Sequence, residues 1–366
     1  MKILVAVADY PNEEKISMMY VHTRNLYYKN NNIDIEVLNF SSKTFYEYEG
    51  IRVISLNDFK LNKKEYDLLL CHAPNIKNHY LFLKKYEKFF KKIIFFFHGH
   101  EVLKVNKVYS KPYFYIKRNK IKEFFQDGYD DIKLFLWRNY FLKLAKKSYF
   151  IFVSQWMLEE FKKWVKLDEK SLNNRISITY NSIGEIFKTN FYNSYNLKKY
   201  DFITIRGNLD GSKYCIDLIC KLAKNNPNYS FLLVGKGEFF KYNEKPENLE
   251  WRDVYCNHKK IIELLNEARC ALMPTRTDAQ GLMACEMASF GIPLITSDIS
   301  VCHEIFKGFK NVKFINNNDP NNNFEKKYQE LISSGTEVRN LKYSSENTIK
   351  NEIKIFEKVL KLGEKL

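Results

Sequence analysis

Pro274-Thr-Arg-Thr-Asp278-Ala-Gln-Gly281-Leu-Met-Ala-Cys-Glu286-Met-Ala-Ser-Phe-Gly291-Ile-Pro293 stands between two short apolar runs, Cys270–Met273 and Leu294–Ser297. Runs of that length bounded by turn residues fit buried parallel strands. Gly291 and Pro293 end the intervening helix in the usual order, a residue that tolerates left-handed backbone and then a helix breaker. The segment therefore reads as a βαβ unit. At the helix start, the N–H groups of Gly281, Leu282 and Met283 have no acceptor within the helix, and the macrodipole places roughly half a positive charge there. A phosphate or diphosphate fits such a site. Glu286 follows about 7.5 Å along the axis, leaning back toward the N-terminus, within reach of a ribose attached to that phosphate. Asp278 lies on the loop ahead of the helix, so two carboxylates are expected to flank one anion.

This pattern resembles the E-x7-E signature of retaining GT-B glycosyltransferases, in particular the large family often called GT4, the glycosyl transferases of group 1. Asp278 takes the first glutamate position, one methylene short, and Glu286 the second. The resemblance implies an α/β chain of two Rossmann-like domains, with parallel sheets facing a central cleft.

Length and composition agree. A chain of 366 residues exceeds what one core usually organises, about 250–300 residues, and 29 Phe with 25 Tyr supply ample core material. No apolar run approaches the roughly 20 residues that span a bilayer. Met1–Ala8 has the apolar start of a signal peptide but is followed by Asp9, Tyr10 and Pro11 without a cleavage pattern, and reads as a first buried strand. Seven cysteines without a C-x2-C pair argue against a disulfide framework or zinc site and for a reducing, cytoplasmic setting. Apolar strand candidates alternate with longer amphipathic stretches in two series. A polar Asn, Tyr and Lys segment from Phe187 to Tyr200 separates them. The boundaries expected are an acceptor-side domain over 1–187 and a nucleotide-sugar-binding domain over 188–345. The helical pattern within 346–366 is expected to pack back on the first domain, as the resemblance implies.

Other motifs take places in that frame. Phe202-Ile-Thr-Ile-Arg206-Gly-Asn-Leu-Asp-Gly211-Ser-Lys213 is a strand and a loop with two cations, and the resemblance places Arg206 and Lys213 on the donor diphosphate. Two cations and a helix N-terminus neutralise a diphosphate through charge-assisted hydrogen bonds. No Asp-x-Asp is found, so no metal and no cofactor is expected. Gly235-Lys-Gly237 resembles a family loop where a small residue lets ligand approach the backbone. His98, in Phe97-His98-Gly99-His100-Glu101, matches a family His-Gly pair that faces the donor sugar and its leaving phosphate, which makes His98 and Asp278 the catalytic candidates and His100 and Glu101 acceptor candidates. Ser154 and Asn181 fall on two further family landmarks.

Charge is uneven: residues 1–190 carry a net +12 and residues 191–366 a net +4. Lys84, Lys85, Lys88, Lys91, Lys92, Lys104, Lys107, Lys111, Lys117, Arg118, Lys120 and Lys122 lie among aromatics. Each cation contributes about 1 kcal/mol near an anionic leaflet, which points to peripheral docking on the inner face of the plasma membrane. No nucleic-acid module is recognised. The resemblance thus implies a metal-independent retaining hexosyltransferase. It would use a nucleoside diphosphate sugar, UDP-sugar favoured, and a glycan or lipid-linked glycan acceptor, in bacterial surface polysaccharide synthesis. The alternatives are a non-catalytic relative that serves as partner or scaffold in a glycan assembly complex, and a sugar-nucleotide epimerase.

Overall fold

Strands covered on both faces read as unbroken apolar runs rather than alternations, and Ile3 to Val7 are all fully buried in strand β1 (Lys2–Val7). The computed structural model describes residues 1–62, 64–117, 120–334 and 339–362. Arg118, the side chains of Lys120 and Lys122, and the end of the 346–366 segment lie outside the described residues. Internal contacts divide the chain into two units. One comprises Met1–Val105, Asp127–Ser182 and Ser345–Leu366, and the other Asn106–Gln126 and Ile183–Ser344.

The first unit is built on an eight-stranded sheet. After β1 come β2 (Asp34–Asn39), β3 (Tyr46–Tyr48), β4 (Ile51–Ile54), β5 (Tyr66–His72), β6 (Phe90–Phe97), β7 (Ser148–Phe152) and β8 (Ile176–Ile178), in the spatial order β3-β4-β2-β1-β5-β6-β7-β8. All neighbours are parallel except the short edge pair β3 and β4. One core cluster joins Val5, Val37, Leu70 and Ile151 to Ile349, Phe356 and Val359 of the terminal helix Ile349–Lys361. A buried ion pair fixes that helix: Arg24 Nε donates to Glu352 Oε1 at 3.0 Å, with both side chains fully buried. Glu352 also accepts from Thr179 Oγ1 at 2.9 Å and from the Tyr28 hydroxyl. Asn181 is a partner in this network, accepting from Arg24 at 2.8 Å. Ser154 caps the helix Gln155–Val165 through the Met157 amide. Both family landmarks thus have structural uses here.

The second unit has six parallel strands, β9 (Tyr200–Ile205), β10 (Phe231–Val234), β11 (Leu249–Arg252), β12 (Ala268–Leu272), β13 (Leu294–Ser297) and β14 (Val312–Ile315), in the order β11-β10-β9-β12-β13-β14. The direction of travel reverses between β9 and β12. In open α/β sheets that switch point, at the carboxyl ends of the strands, is where ligands bind. The loops that begin at Arg206 and Pro274 both start there.

The units part from the sequence boundaries in two places. The crossover comes at Ser182 and Ile183 rather than at 187, because Ile183 N bonds Tyr343 O at 2.9 Å and Phe187 is fully buried against His258 and Phe290. Asn106–Gln126 groups with the second unit, because Tyr113 and Tyr115 pack on its core. No helix among the described residues is long and apolar enough to cross a membrane.

Candidate functional site

Gly281 sits at φ +67° and begins the helix Leu282–Phe290 with no side-chain cap. A left-handed residue in that place is cheapest as glycine, and the missing cap leaves the first-turn amides without a partner from the helix. The first intrahelical bond runs from Cys285 N to Gly281 O at 3.1 Å. Leu282 and Met283 are half-buried at this end. The far end closes on Gly291 at φ +103°.

Asp278 is half-buried on the preceding loop, where its Oδ1 accepts from Gln280 N at 3.3 Å. Together with Arg206, Thr275, Gln280 and Gly281 it lines a small cavity of about 10 Å³, room for about one water. Arg206 is 8 % exposed; it donates to Pro274 O at 2.6 Å, stacks over Tyr214 at 5.0 Å, and leaves its Nε without a partner. Burial lowers its pKa, while the Asp278 charge favours the cation. Lys213 holds its Nζ over the rings of Tyr214, at 4.8 Å, and Tyr109, at 5.9 Å. It makes no ion pair among the described residues.

Glu286 is oriented differently from its expected partner. It is 3 % exposed, accepts from Gly184 N at 3.0 Å, and lies 3.9 Å from His258 Nε2. It does not line the cavity that holds Asp278 and Arg206. Burial pushes its carboxyl up to about 7, with the Gly184 amide acting in the opposite direction. A Cβ on Gly184 would lie 3.0 Å from His258 Cε1 and 3.4 Å from Glu286 Oε1. Gly235 also has a structural reason: a Cβ on it would fall 2.0 Å from Arg206 O. The close approach it permits is thus by the neighbouring backbone.

Sequence reasoning passed over Arg276, though it sits inside the decisive stretch. Its guanidinium pairs with both oxygens of Asp217, at 3.0 and 2.6 Å, and donates to Ser212 O. Thr275 donates to Lys213 O at 3.1 Å, and Arg276 N does so at 2.9 Å. These bonds hold the Lys213 and Asp278 loops together. His258 was also missed, for no motif marks it.

In the first unit, His98 follows β6 and is half-buried, its Nε2 3.1 Å from His72 Nδ1 and its ring 4.5 Å from that of Tyr20. Its Nδ1 is buried without a partner. Burial, then the charges of Arg24 and His100, hold its pKa well below the ordinary histidine value, so the ring is neutral. Glu101 is 3 % exposed and accepts from the amides of His98 and Gly99, which makes it a brace for the His-Gly turn. His100 is exposed.

Comparisons with known proteins bear on the fold. Residues 189–348 match the family described as Glycosyl transferases group 1. No curated protein matches the chain by sequence. Among solved structures, sucrose-phosphate synthase from Thermosynechococcus elongatus is similar with a TM-score of 0.69 at 12% identity, over 98% of this chain and 99% of that one. WaaG, described as a glycosyltransferase involved in lipopolysaccharide biosynthesis, gives 0.64 at 12% identity, over 97% and 99%. The catalytic domain of starch synthase IV from Arabidopsis thaliana, bound to ADP and acarbose, gives 0.62 at 10% identity, over 98% and 99%. The fold is the GT-B type that the sequence led us to expect.

Proposed function

We propose that this chain, whose second unit carries the group 1 glycosyl transferase segment, is a retaining hexosyltransferase. It moves a hexosyl unit from a nucleoside diphosphate sugar to a hydroxyl of a glycan or lipid-linked glycan, in surface polysaccharide synthesis. One observation carries the reading. At the β9/β12 switch point, an unpaired Lys213, an uncapped helix start at Gly281 and the under-bonded Arg206 converge on loops tied to each other. Those three groups offer positive potential with no carboxylate among the described residues in an ion pair with them. A diphosphate supplies the missing charge.

In the reaction, the bond from the sugar C1 to the phosphate oxygen breaks as the acceptor oxygen bonds to C1 on the same face. The acceptor proton passes to the departing phosphate. Lys213, Arg206 and the amides near Gly281 stabilise that leaving group without a metal. Glu286 binds the ribose, and Asp278 and His98 act on the sugar. The basic residues of the first half hold the enzyme at the cytoplasmic face of a membrane. A starch synthase of the same fold bound to ADP supports the nucleoside diphosphate class.

Calorimetry with UDP-glucose, GDP-mannose and ADP-glucose, repeated with EDTA, tests the reading. Micromolar binding of one donor, insensitive to EDTA, is expected; no binding to any of the three would remove it. Proton NMR of the product formed from a donor of known anomeric configuration then checks retention.

A further inference from the structure

Residues 106–117 come from the middle of the first half of the sequence, yet they lie on the second unit and touch the loops after three of its strands. Val108 O accepts from Thr277 Oγ1 at 3.0 Å, on the loop after β12. Ser110 Oγ is 2.8 Å from Ser212 Oγ, on the loop after β9. Tyr115 donates to Asp210 Oδ1 at 2.7 Å, and Asp210 in turn receives the Glu238 amide of the loop after β10. Tyr113 is the strongest anchor. Its hydroxyl donates to Asp217 Oδ1 at 3.0 Å, accepts from Ile216 N at 3.1 Å, and its ring packs edge-on against Phe239.

Tyr109 lies between Val108 and Ser110. Its two neighbours are held by Thr277, adjacent to Asp278, and by Ser212, adjacent to Lys213, and its own ring stands 5.9 Å from the Lys213 amine. A chain segment laid along the carboxyl edge of a parallel sheet at its switch point lies where ligand binds.

We propose that residues 106–117 form a strap across the donor site of the second unit, and that Tyr109 is a donor-binding residue packed against the diphosphate-linked sugar held by Lys213. The inference rests on the donor reading above. Its consequence is that the strap tightens when donor is bound and loosens when the site is empty. Tyr109 contributes aromatic contact, and Tyr113 is the positioning residue that pins the strap.

The test combines donor binding with proteolysis of the full chain. Lys107 is an exposed residue of the strap that trypsin cleaves, whereas Lys111 precedes Pro112 and resists. Saturating donor, chosen as whichever of UDP-glucose, GDP-mannose and ADP-glucose binds, is expected to slow cutting after Lys107 several-fold. Tyr109→Ala should raise the donor Kd roughly 5- to 10-fold, the scale of an aromatic contact. Tyr113→Phe should speed the cut in the absence of donor. Unfolding of Tyr109→Ala is detected by its melting curve, and Tyr109→Trp then takes its place with an expected change in donor Kd. Wild-type protein that binds donor, with cutting unchanged by donor and Tyr109→Ala binding normally, overturns the strap and leaves the glycosyltransferase reading intact. Wild-type protein that binds none of the three donors overturns both.

Discussion

Arg24, in the middle of the helix Met19–Asn30, and Arg206, just past the end of β9, are both buried arginines, and they are treated in opposite ways. Arg24, in the first unit, is fully buried and spends its guanidinium on Glu352, Asn181 and Tyr20 O. Arg206, in the second, donates to Pro274 O and has an orphaned Nε and, among the described residues, no ion pair. The carboxylates follow suit: Glu352 is held by a cation and two hydroxyls, whereas Glu286 has one amide and a pKa raised to about 7. Desolvating a charge is costly unless it is paired. A pair satisfied within the chain holds the chain together, and a buried charge left short of partners marks a place where something from outside completes the set.

The largest expected effect is on the satisfied pair. Arg24→Met leaves Glu352 buried and uncompensated and should cost about 3–5 kcal/mol of stability, read by urea unfolding of the whole chain. Arg24→Met with Glu352→Leu should recover much of that loss. A cost under about 1 kcal/mol for the single change would put Arg24 in the same class as an exposed cation and dissolve the contrast.

Glu286→Gln comes next, with the opposite sign. The folded-state pKa of Glu286 is raised from 4.5 to about 7, so between those values the native protein holds a proton that the unfolded chain releases. Stability is fully present below about pH 4.5 and declines as pH rises through 7, by up to roughly 3 kcal/mol. Glutamine has no proton to lose. Glu286→Gln should therefore melt above wild type at pH 8 and converge with it near pH 4.5, while binding donor less tightly. Identical melting curves across that range would mean that Glu286 is not strained by burial.

Much of this was legible in residue order, and the exceptions have physical reasons. The run Ile3–Val7 and the βαβ unit around Gly281 could be read because burial on two faces and helix stop signals are local properties. Tyr46–Tyr48 and Val312–Ile315 were passed over as strands. Runs of three or four residues carry too little pattern. Gly235 stood out as a glycine, but only the fold brings Arg206 O into the space its side chain would need. The partnership of Arg24 with Glu352 spans 328 positions, and no periodicity links residues so far apart. Residues 106–117 looked like a basic, aromatic stretch of the first half. Their place on the second unit depends on tyrosine hydroxyls that composition does not aim.

The smallest effect expected is also the one that sharpens the contrast most. Lys213 is a half-buried cation with two aromatic rings beside it and no ion pair among the described residues. Because it compensates nothing within the chain, Lys213→Ala should leave thermal stability within about 0.5 kcal/mol of wild type, as for a surface change away from any network. Donor affinity should nevertheless fall about tenfold or more, the scale of a hydrogen bond to a charged group. Arg206→Met should behave in the same sense, since the cation it removes was itself under-satisfied. The informative quantity is the ratio of the two losses, read from paired calorimetry and melting curves. In the first unit the loss of a cation is expected in stability, and in the second it is expected in binding. If Lys213→Ala instead destabilises the chain and binds donor normally, the amine serves the aromatic packing around Tyr109 and Tyr214. The positive field at the β9/β12 switch point would then come from Arg206 and the open helix end alone.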